Sequence, residues 1–411
     1  MNIAIIGGGA SGLAAALAAR ESLDNTVTVY ERQNRVGRKL LATGNGRCNL
    51  TNIHLGPYDY HGQDLSFPIP ALHRFGPDET LDWFSRLGLV TRTEDSGRVY
   101  PLSDTAGSVV DVLRLALEAR GGQIMTALPI TQAWREGDGF RLASPLGEEF
   151  TCDRLIIACG GAAGARIGGG RLGYDLLASF GHQCTALYPA LVQVKTDNTW
   201  TRTMKGVRTQ ALLTLERNGR VETSAAGEVQ FTDYGITGPA VYDLSRAAAQ
   251  AGRDYVICLR LLPKLDEDEL FAYMDTRRSN FPDYRAENLF SGLLHNAIAR
   301  TAVRRAEIPL ETRLWALSDN ALEYIRDVLC RFELPLQGTL GFEDAQVTAG
   351  GIVTDDFDPQ TMESRLVTGL YACGEVLDVD GNCGGFNLQW AWASGRMAGL
   401  AAADLLEAIQ L

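Results

Sequence analysis

The sequence predicts an α/β protein organised around a Rossmann-like parallel sheet, and three stretches carry that expectation. The chain opens with the apolar run NIAII at residues 2–6, then GGGASG, then an Ala/Leu-rich segment from Leu13 to Arg20: strand, tight turn, helix. A second strand, TVTVYE, ends at Glu31, 19 residues after Gly12. Far downstream, GLYACGEVLDVDGNCGGFNLQWA at 369–391 reads as a strand from Leu370 to Ala372, an acidic turn at Gly374-Glu375, a glycine turn at Gly384-Gly385 and a helix from about Phe386.

Each element has a chemical reason. Gly7, Gly9 and Gly12 have dinucleotide spacing: one glycine for the turn, one to let a pyrophosphate approach the backbone, one for close packing of helix on strand. The helix start behind them offers unpaired N–H groups and a positive dipole end to phosphate. Glu31 stands where a carboxylate accepts hydrogen bonds from an adenosine ribose, which favours an unphosphorylated 2′-hydroxyl and so FAD or NAD over NADP. The second helix start, returning near the other end of the chain, fits a large two-ended cofactor, so FAD is expected rather than a resident NAD. The Gly-rich run at 160–173 lacks the strand-turn-helix spacing of a second dinucleotide site, so NADH or NADPH is expected only as a transient visitor to the flavin.

Composition limits the alternatives. The chain has 411 residues, 45% hydrophobic and 21% charged, as globular proteins of two or three domains have. Its net charge of -12, without a block of five like charges, gives no electrostatic support for general binding to nucleic acid or anionic membrane. The start runs from Met1 straight into the first strand without a secretory signal pattern, and no run of about 18 apolar residues occurs, so a cytoplasmic protein is expected. Cysteines at 48, 152, 159, 184, 258, 330, 373 and 383 form no C-x-x-C and no zinc spacing, so no metal is expected. Asn49-Leu50-Thr51 matches a glycosylation sequon, which without a signal has no consequence.

GGGASGLAAA, GRKLLATGNGRCNLTN at 37–52, IIACGG at 156–161, EVQFTDYGITGPAVYDLS at 228–245, VTAGGI at 347–352 and GEVLDVDGNCGGFNLQWA at 374–391 together resemble the HI0933-like NAD(P)/FAD-dependent oxidoreductases of bacteria. That family includes a bile-acid reductase and an aminoacetone oxidase. The resemblance implies a two-dinucleotide-binding-domain-type FAD domain from residues 1–190 and 341–411. It also implies a β-rich domain at 191–264 and 333–340, and a small helical domain at 265–332. Local patterning agrees: LVQVKT, ALLTLERNG and DYVICLRLLP alternate as strands, and LDEDELFAYMDTRR and SDNALEYIRDVLCRF repeat as helices, with Asp266 and Ser318 near their starts.

By resemblance, Gly7, Gly9, Ala10, Ser11 and Gly12 lie on the pyrophosphate and Glu31 on the ribose. Arg32, Arg38 and Lys39 offer positive charge to the phosphates or the adenosine end. Asn45, Gly46, Arg47 and Asn49 suit a loop around the middle of FAD, Ile130 contacts adenine through backbone groups, and Ala158, Gly160 and Gly161 close over the nucleotide. Gly374 and Glu375 match the ribityl-phosphate region. Gly384, Gly385, Phe386, Asn387 and Leu388 match the turn under the isoalloxazine, where a helix start stabilises negative charge on reduced flavin. The expected reaction is hydride exchange between flavin N5 and a small or hydrophobic organic substrate at the junction with the inserted domain. An oxygen-using amine or amino-ketone oxidase is the rival; nucleic-acid modification and a non-enzymatic flavin-binding regulator stand further off.

Some residues invite chemistry without earning it. Cys48 has no cysteine neighbour in sequence nearer than Cys152, which excludes a local redox dithiol. VTAGGI resembles the TMGGI of fumarate-reductase-like flavoproteins, but Gln346 and Val347 stand where a histidine would precede it, which argues against dicarboxylate reduction. His54, His61 and His73, Cys383, Asp378, Tyr234 and Thr237 have local structural readings of equal simplicity. No residue is marked as the catalytic proton donor, no group is marked for covalent flavin attachment, and the oligomeric state is not legible.

Overall fold

After the exposed Asn2, the strand Asn2–Ile6 is apolar and buried from Ile3 to Ile6 because it forms the middle of a sheet covered on both faces. The computed structural model describes residues 1–406. Within them the chain divides into two units, Met1–Tyr188 with the described residues from Ala345 onward, and Pro189–Asp344.

In the first unit five parallel strands run in the order Leu370–Ala372, Arg154–Ile157, Asn2–Ile6, Thr26–Tyr30, Gln123–Met125. The register sets Ile3 beside Arg154 and Val27, and Ile157 beside Ala372. Ile5, Val27, Val29, Leu155 and Ile156 are fully buried. The second strand stops at Tyr30, one residue before Glu31, whose N–H donates to the Met125 carbonyl at 2.8 Å.

Two small-residue helices pack at this sheet. The first, Ala10–Ala19, is buried from Ser11 to Ala19. The last, Phe386–Ala402, lies so close to it that a Cβ on Gly395 would stand 2.3 Å from the Ser11 carbonyl oxygen, and one on Gly399 2.2 Å from that of Ala15. Glycine permits this backbone approach. A short antiparallel sheet, in the order Thr51–Asn52, Arg98–Pro101, Thr91–Thr93, flanks the last helix, and a ribbon pairs Tyr60–His61 with Asp380–Gly381.

The second unit is a closed antiparallel barrel of six strands: Val194–Thr196, Gly235–Thr237, Arg220–Phe231, Arg208–Arg217, Tyr255–Arg260 and Phe332–Thr339. Its long hairpin turns at Asn218-Gly219, both at positive φ (51° and 76°), as a two-residue hairpin of this kind requires. Helices Glu267–Asn280, Asn296–Arg305 and Asp319–Cys330 fall between its last two strands in sequence. Asp266 and Ser318 cap two of them, accepting from the N–H groups of Glu269 (2.8 Å) and Ala321 (3.2 Å). Among the described residues no helix is long and apolar enough to cross a membrane.

Candidate functional site

The glycines of the first turn divide by what a side chain would meet. A Cβ on Gly7, at φ +112°, would lie 2.3 Å from the Ala158 carbonyl oxygen, and one on Gly12 would lie 1.9 Å from that of Gly7. At Gly9 and Gly160 it would meet nothing within 4 Å. Two of these four positions are therefore closed by the fold, and two open outward. The helix that begins at Ala10 has no side-chain cap and no acidic residue in its first turn, so its N–H groups remain available to an anion. Glu31 ties the turn to the second strand, its carboxylate accepting from the N–H groups of Gly8 (2.8 Å) and Gln33 (2.7 Å). Ser11 is buried, its hydroxyl turned to the Cys373 carbonyl at 3.4 Å, and a Cβ on Gly374 would fall 2.5 Å from its Oγ. Ala158 is buried at the end of its strand, N–H on the Ile6 carbonyl. Ile130 is buried just past Ala127 and Leu128, whose N–H groups donate to the carbonyls of Gln33 and Glu31.

The following basic segment is less uniform than its sequence. Lys39 pairs with Glu375 at 2.5 Å, and the other Glu375 oxygen accepts from the Thr348 N–H at 2.8 Å. Gly161 leaves room for that carboxylate, since a Cβ there would stand 2.5 Å from it. Arg32 donates to the carbonyls of Gly168 and Gly169, and Arg38 to the Gln33 side chain at 2.6 Å. Arg47 stacks 4.2 Å above the Tyr100 ring and reaches Glu94. Gly44, Asn45, Gly46 and Cys48 all have positive φ, between 57° and 84°. Their coiled backbone turns Cys48 inward, where burial pushes its thiol up to about 12. Cys48→Ala is expected to cost about 1 kcal/mol of stability and to leave flavin content unchanged, and the native thiol to resist iodoacetamide at neutral pH. Mass spectrometry of the alkylated native protein and a flavin-to-protein ratio for the variant check both.

Asn49 points the other way. Its Oδ1 is buried without a partner and lies 3.0 Å from where a Cβ on Gly385 would project. Native folds seldom leave such an atom unmatched unless a ligand completes it. Gly385, at φ 106°, precedes the last helix, which also lacks a side-chain cap and a first-turn acid. The turn is pinned from several sides. Asn387 brackets the Gly381 backbone, accepting from its N–H and donating to its carbonyl (2.8 and 2.7 Å). Tyr60 donates to the Phe386 carbonyl and Asn52 to that of Gly384 (3.0 and 3.1 Å). Leu388 is half-buried against the core. Trp390 donates to the Gly374 carbonyl at 3.2 Å, linking this turn to the acidic one.

The structure thus brings Gly7–Gly12, Glu31, Ala158–Gly161 and Gly374 together at the strand ends, with Asn49 and Gly384–Leu388 at the start of the final helix. The guanidinium groups of Arg32, Arg38 and Arg47 are engaged elsewhere. A dinucleotide with an aromatic head fits this set: two uncapped helix starts, two glycines open outward and one unmatched buried amide. Sequence reading did not single out Thr348, Asn52 or Arg98, which reach the site only through sheet pairing. His61 proves to bond Asn382 at 2.8 Å, and Asp378 accepts from the Gln63 N–H at 3.1 Å. Among the described residues no cluster of ligating side chains could hold a metal ion.

Residues 1–401 match the family described as HI0933-like protein Rossmann domain. A 3-dehydro-bile acid delta(4,6)-reductase of Clostridium scindens is 37% identical over 406 residues, 98% of this chain and 99% of that one. Ribosomal RNA dihydrouridine synthases of Escherichia coli and Haemophilus influenzae are 30% and 28% identical, over 98% and 95% of each chain. The latter two leave the expected exclusion of nucleic acid without support. With its parallel-sheet Rossmann domain and its match along nearly the whole length, the chain belongs to the HI0933-like family of flavin-dependent oxidoreductases.

Proposed function

We propose that the protein binds FAD non-covalently and uses it to reduce a carbon–carbon double bond conjugated to a carbonyl in a small, hydrophobic organic substrate. The observation that carries the cofactor is the pair of uncapped helix starts together with the outward-open Gly9 and Gly160. Gly7, Gly9, Ala10, Ser11 and Gly12 receive the pyrophosphate at the first start, with Glu31 on the adenosine ribose and Ile130 beside the base. Asn45, Gly46 and Asn49 line the middle, and Arg47 contributes only through its backbone, its guanidinium being held on Tyr100 and Glu94. Gly374 and Glu375, with Lys39 paired to the carboxylate, border the ribityl chain, and Gly384 to Leu388 lie under the flavin ring. Arg32 and Arg38 add positive potential at the adenosine end, through a loop they already brace.

The named activities of the relatives support the bond type. One acts on a 3-oxo compound with double bonds at 4 and 6, and the others convert uridine to dihydrouridine. Both descriptions place the reducible bond in conjugation with a carbonyl. Bound FAD, once reduced by NADH or NADPH, would supply the hydride. The chain supplies position and charge: the glycine turns hold the cofactor, and the final helix start stabilises negative charge near it. The segment carrying Tyr60–His61 exposes Ile53, Tyr58, Leu65 and Ile69, an apolar surface suited to a hydrophobic substrate.

A second reading, reduction of uridine in RNA, is favoured by the two dihydrouridine synthases alone, and the net charge of -12 opposes it. The test is anaerobic reduction of the flavoprotein by NADH and by NADPH, followed by an enone acid, a uridine-containing RNA or oxygen. Reoxidation by the enone, with a product two hydrogens heavier that keeps its carbonyl, is expected. Reoxidation by the RNA alone would establish the second reading, and peroxide release with an amine in air would establish an oxidase instead.

A further inference from the structure

Three arginines surround Tyr100, and only two of them have acids. Arg47 and Arg92 share the Glu94 carboxylate at 3.4 and 3.2 Å, and Arg92 also holds Asp104 at 2.6 Å. Arg98, half-buried on the neighbouring strand, makes no side-chain hydrogen bond or ion pair among the described residues. Its place is fixed from both sides. Asn52 is its partner in the strand register, and the Asn52 amide donates to the Gly384 carbonyl at 3.1 Å. The Thr51 carbonyl packs against Gly385, 2.5 Å from where a Cβ would be. The Arg98 Nε consequently lies 3.7 Å from where a Cβ on Gly384 would project. An uncompensated guanidinium therefore borders the glycine turn that opens the final helix.

A fixed cation at this spot adds to a helix start of the same sign, and among the described residues no carboxylate forms an ion pair with it. We propose that Arg98 faces the N1–C2=O edge of the bound flavin and stabilises the negative charge that this edge carries once the flavin is reduced. The proposal rests on the FAD reading above. It adds that the redox potential is set in part from a strand that contributes nothing to the nucleotide-binding turns.

Sulfite probes this charge without any turnover. Its sulfur lone pair forms a bond to flavin N5, and the displaced electron pair settles on N1–C2=O, so adduct affinity follows the positive charge held there. Arg98→Met is expected to retain FAD, to bind sulfite at least about tenfold more weakly and to have a lower reduction potential, with Arg98→Lys recovering most of both. If the Met variant sheds its flavin, titration of its apoprotein with oxidised and with reduced FAD gives the same quantity. The preference for reduced FAD should fall by a similar factor. Sulfite affinity and redox preference within twofold of the parent would overturn the role of Arg98 while leaving the FAD reading intact. A parent protein that takes up no FAD would overturn the reading, and this proposal with it.

Discussion

Alanine at position 9 is expected to leave the fold intact while weakening FAD binding about a hundredfold, equivalent to about 2.7 kcal/mol. Alanine at position 12 is expected to destabilise the fold as well. The two glycines stand three residues apart on one turn, but a Cβ on Gly9 points into open space and one on Gly12 falls 1.9 Å from the Gly7 carbonyl oxygen. Gly9 has φ −83° and ψ −167°, extended backbone that any residue adopts, so no strain accompanies the change. What the new methyl group occupies is the space a pyrophosphate needs to meet the backbone. At Gly12 the obstacle is main chain, which cannot swing aside, and overpacking of this sort costs about 3 kcal/mol. Fluorescence titration of the apoproteins with FAD and thermal melts without it separate the effects. A Gly9→Ala protein that binds FAD within threefold of the parent would refute the placement of the phosphates.

Gln389→Leu is expected to lower stability by about 3 to 4 kcal/mol although it removes no charge and changes little volume. Gln389 is completely buried in the final helix and its amide joins three segments. It accepts from the Thr51 hydroxyl at 2.6 Å and donates to the Phe75 carbonyl at 2.7 Å and to Thr80 Oγ1 at 3.0 Å. Leucine would leave all three groups buried and unanswered. Since Thr51 lies against Gly385, the glycine turn should loosen with it, and FAD should be lost at lower denaturant than the global fold. Urea unfolding followed in parallel by flavin fluorescence and circular dichroism reports both transitions; coincident curves would show that Gln389 has no separate hold on the turn.

The parts of the site legible in the sequence are those whose chemistry is local. Glycine spacing, the apolar stretch Ile3–Ile6 and an acid after the second strand can be read at sight because each acts over a single turn. The final helix was legible for the same reason, as were Asp266 and Ser318 as caps. Arg32 shows the limit: next to Glu31 in sequence it offers charge to the cofactor, yet its long side chain crosses to the carbonyls of Gly168 and Gly169. Thr348, Asn52 and Arg98 were not legible at all. Each owes its position to pairing between strands or turns far apart in the chain, and no spacing rule encodes that. The closure of the inserted strands into a barrel escaped for the same reason, since only the Asn218-Gly219 hairpin is written locally.

The backbone contact of the first helix with the last has a consequence for the order of events during synthesis. Ser11 and Ala15 meet Gly395 and Gly399, so the opening segment of the polypeptide emerges from the ribosome long before its neighbour exists. Until the final helix arrives, the small-residue face of the first has nothing to cover it, and the glycine turn proposed for the flavin ring is absent. Nascent chains should therefore remain unable to capture flavin until the final helix Phe386–Ala402 has emerged and packed.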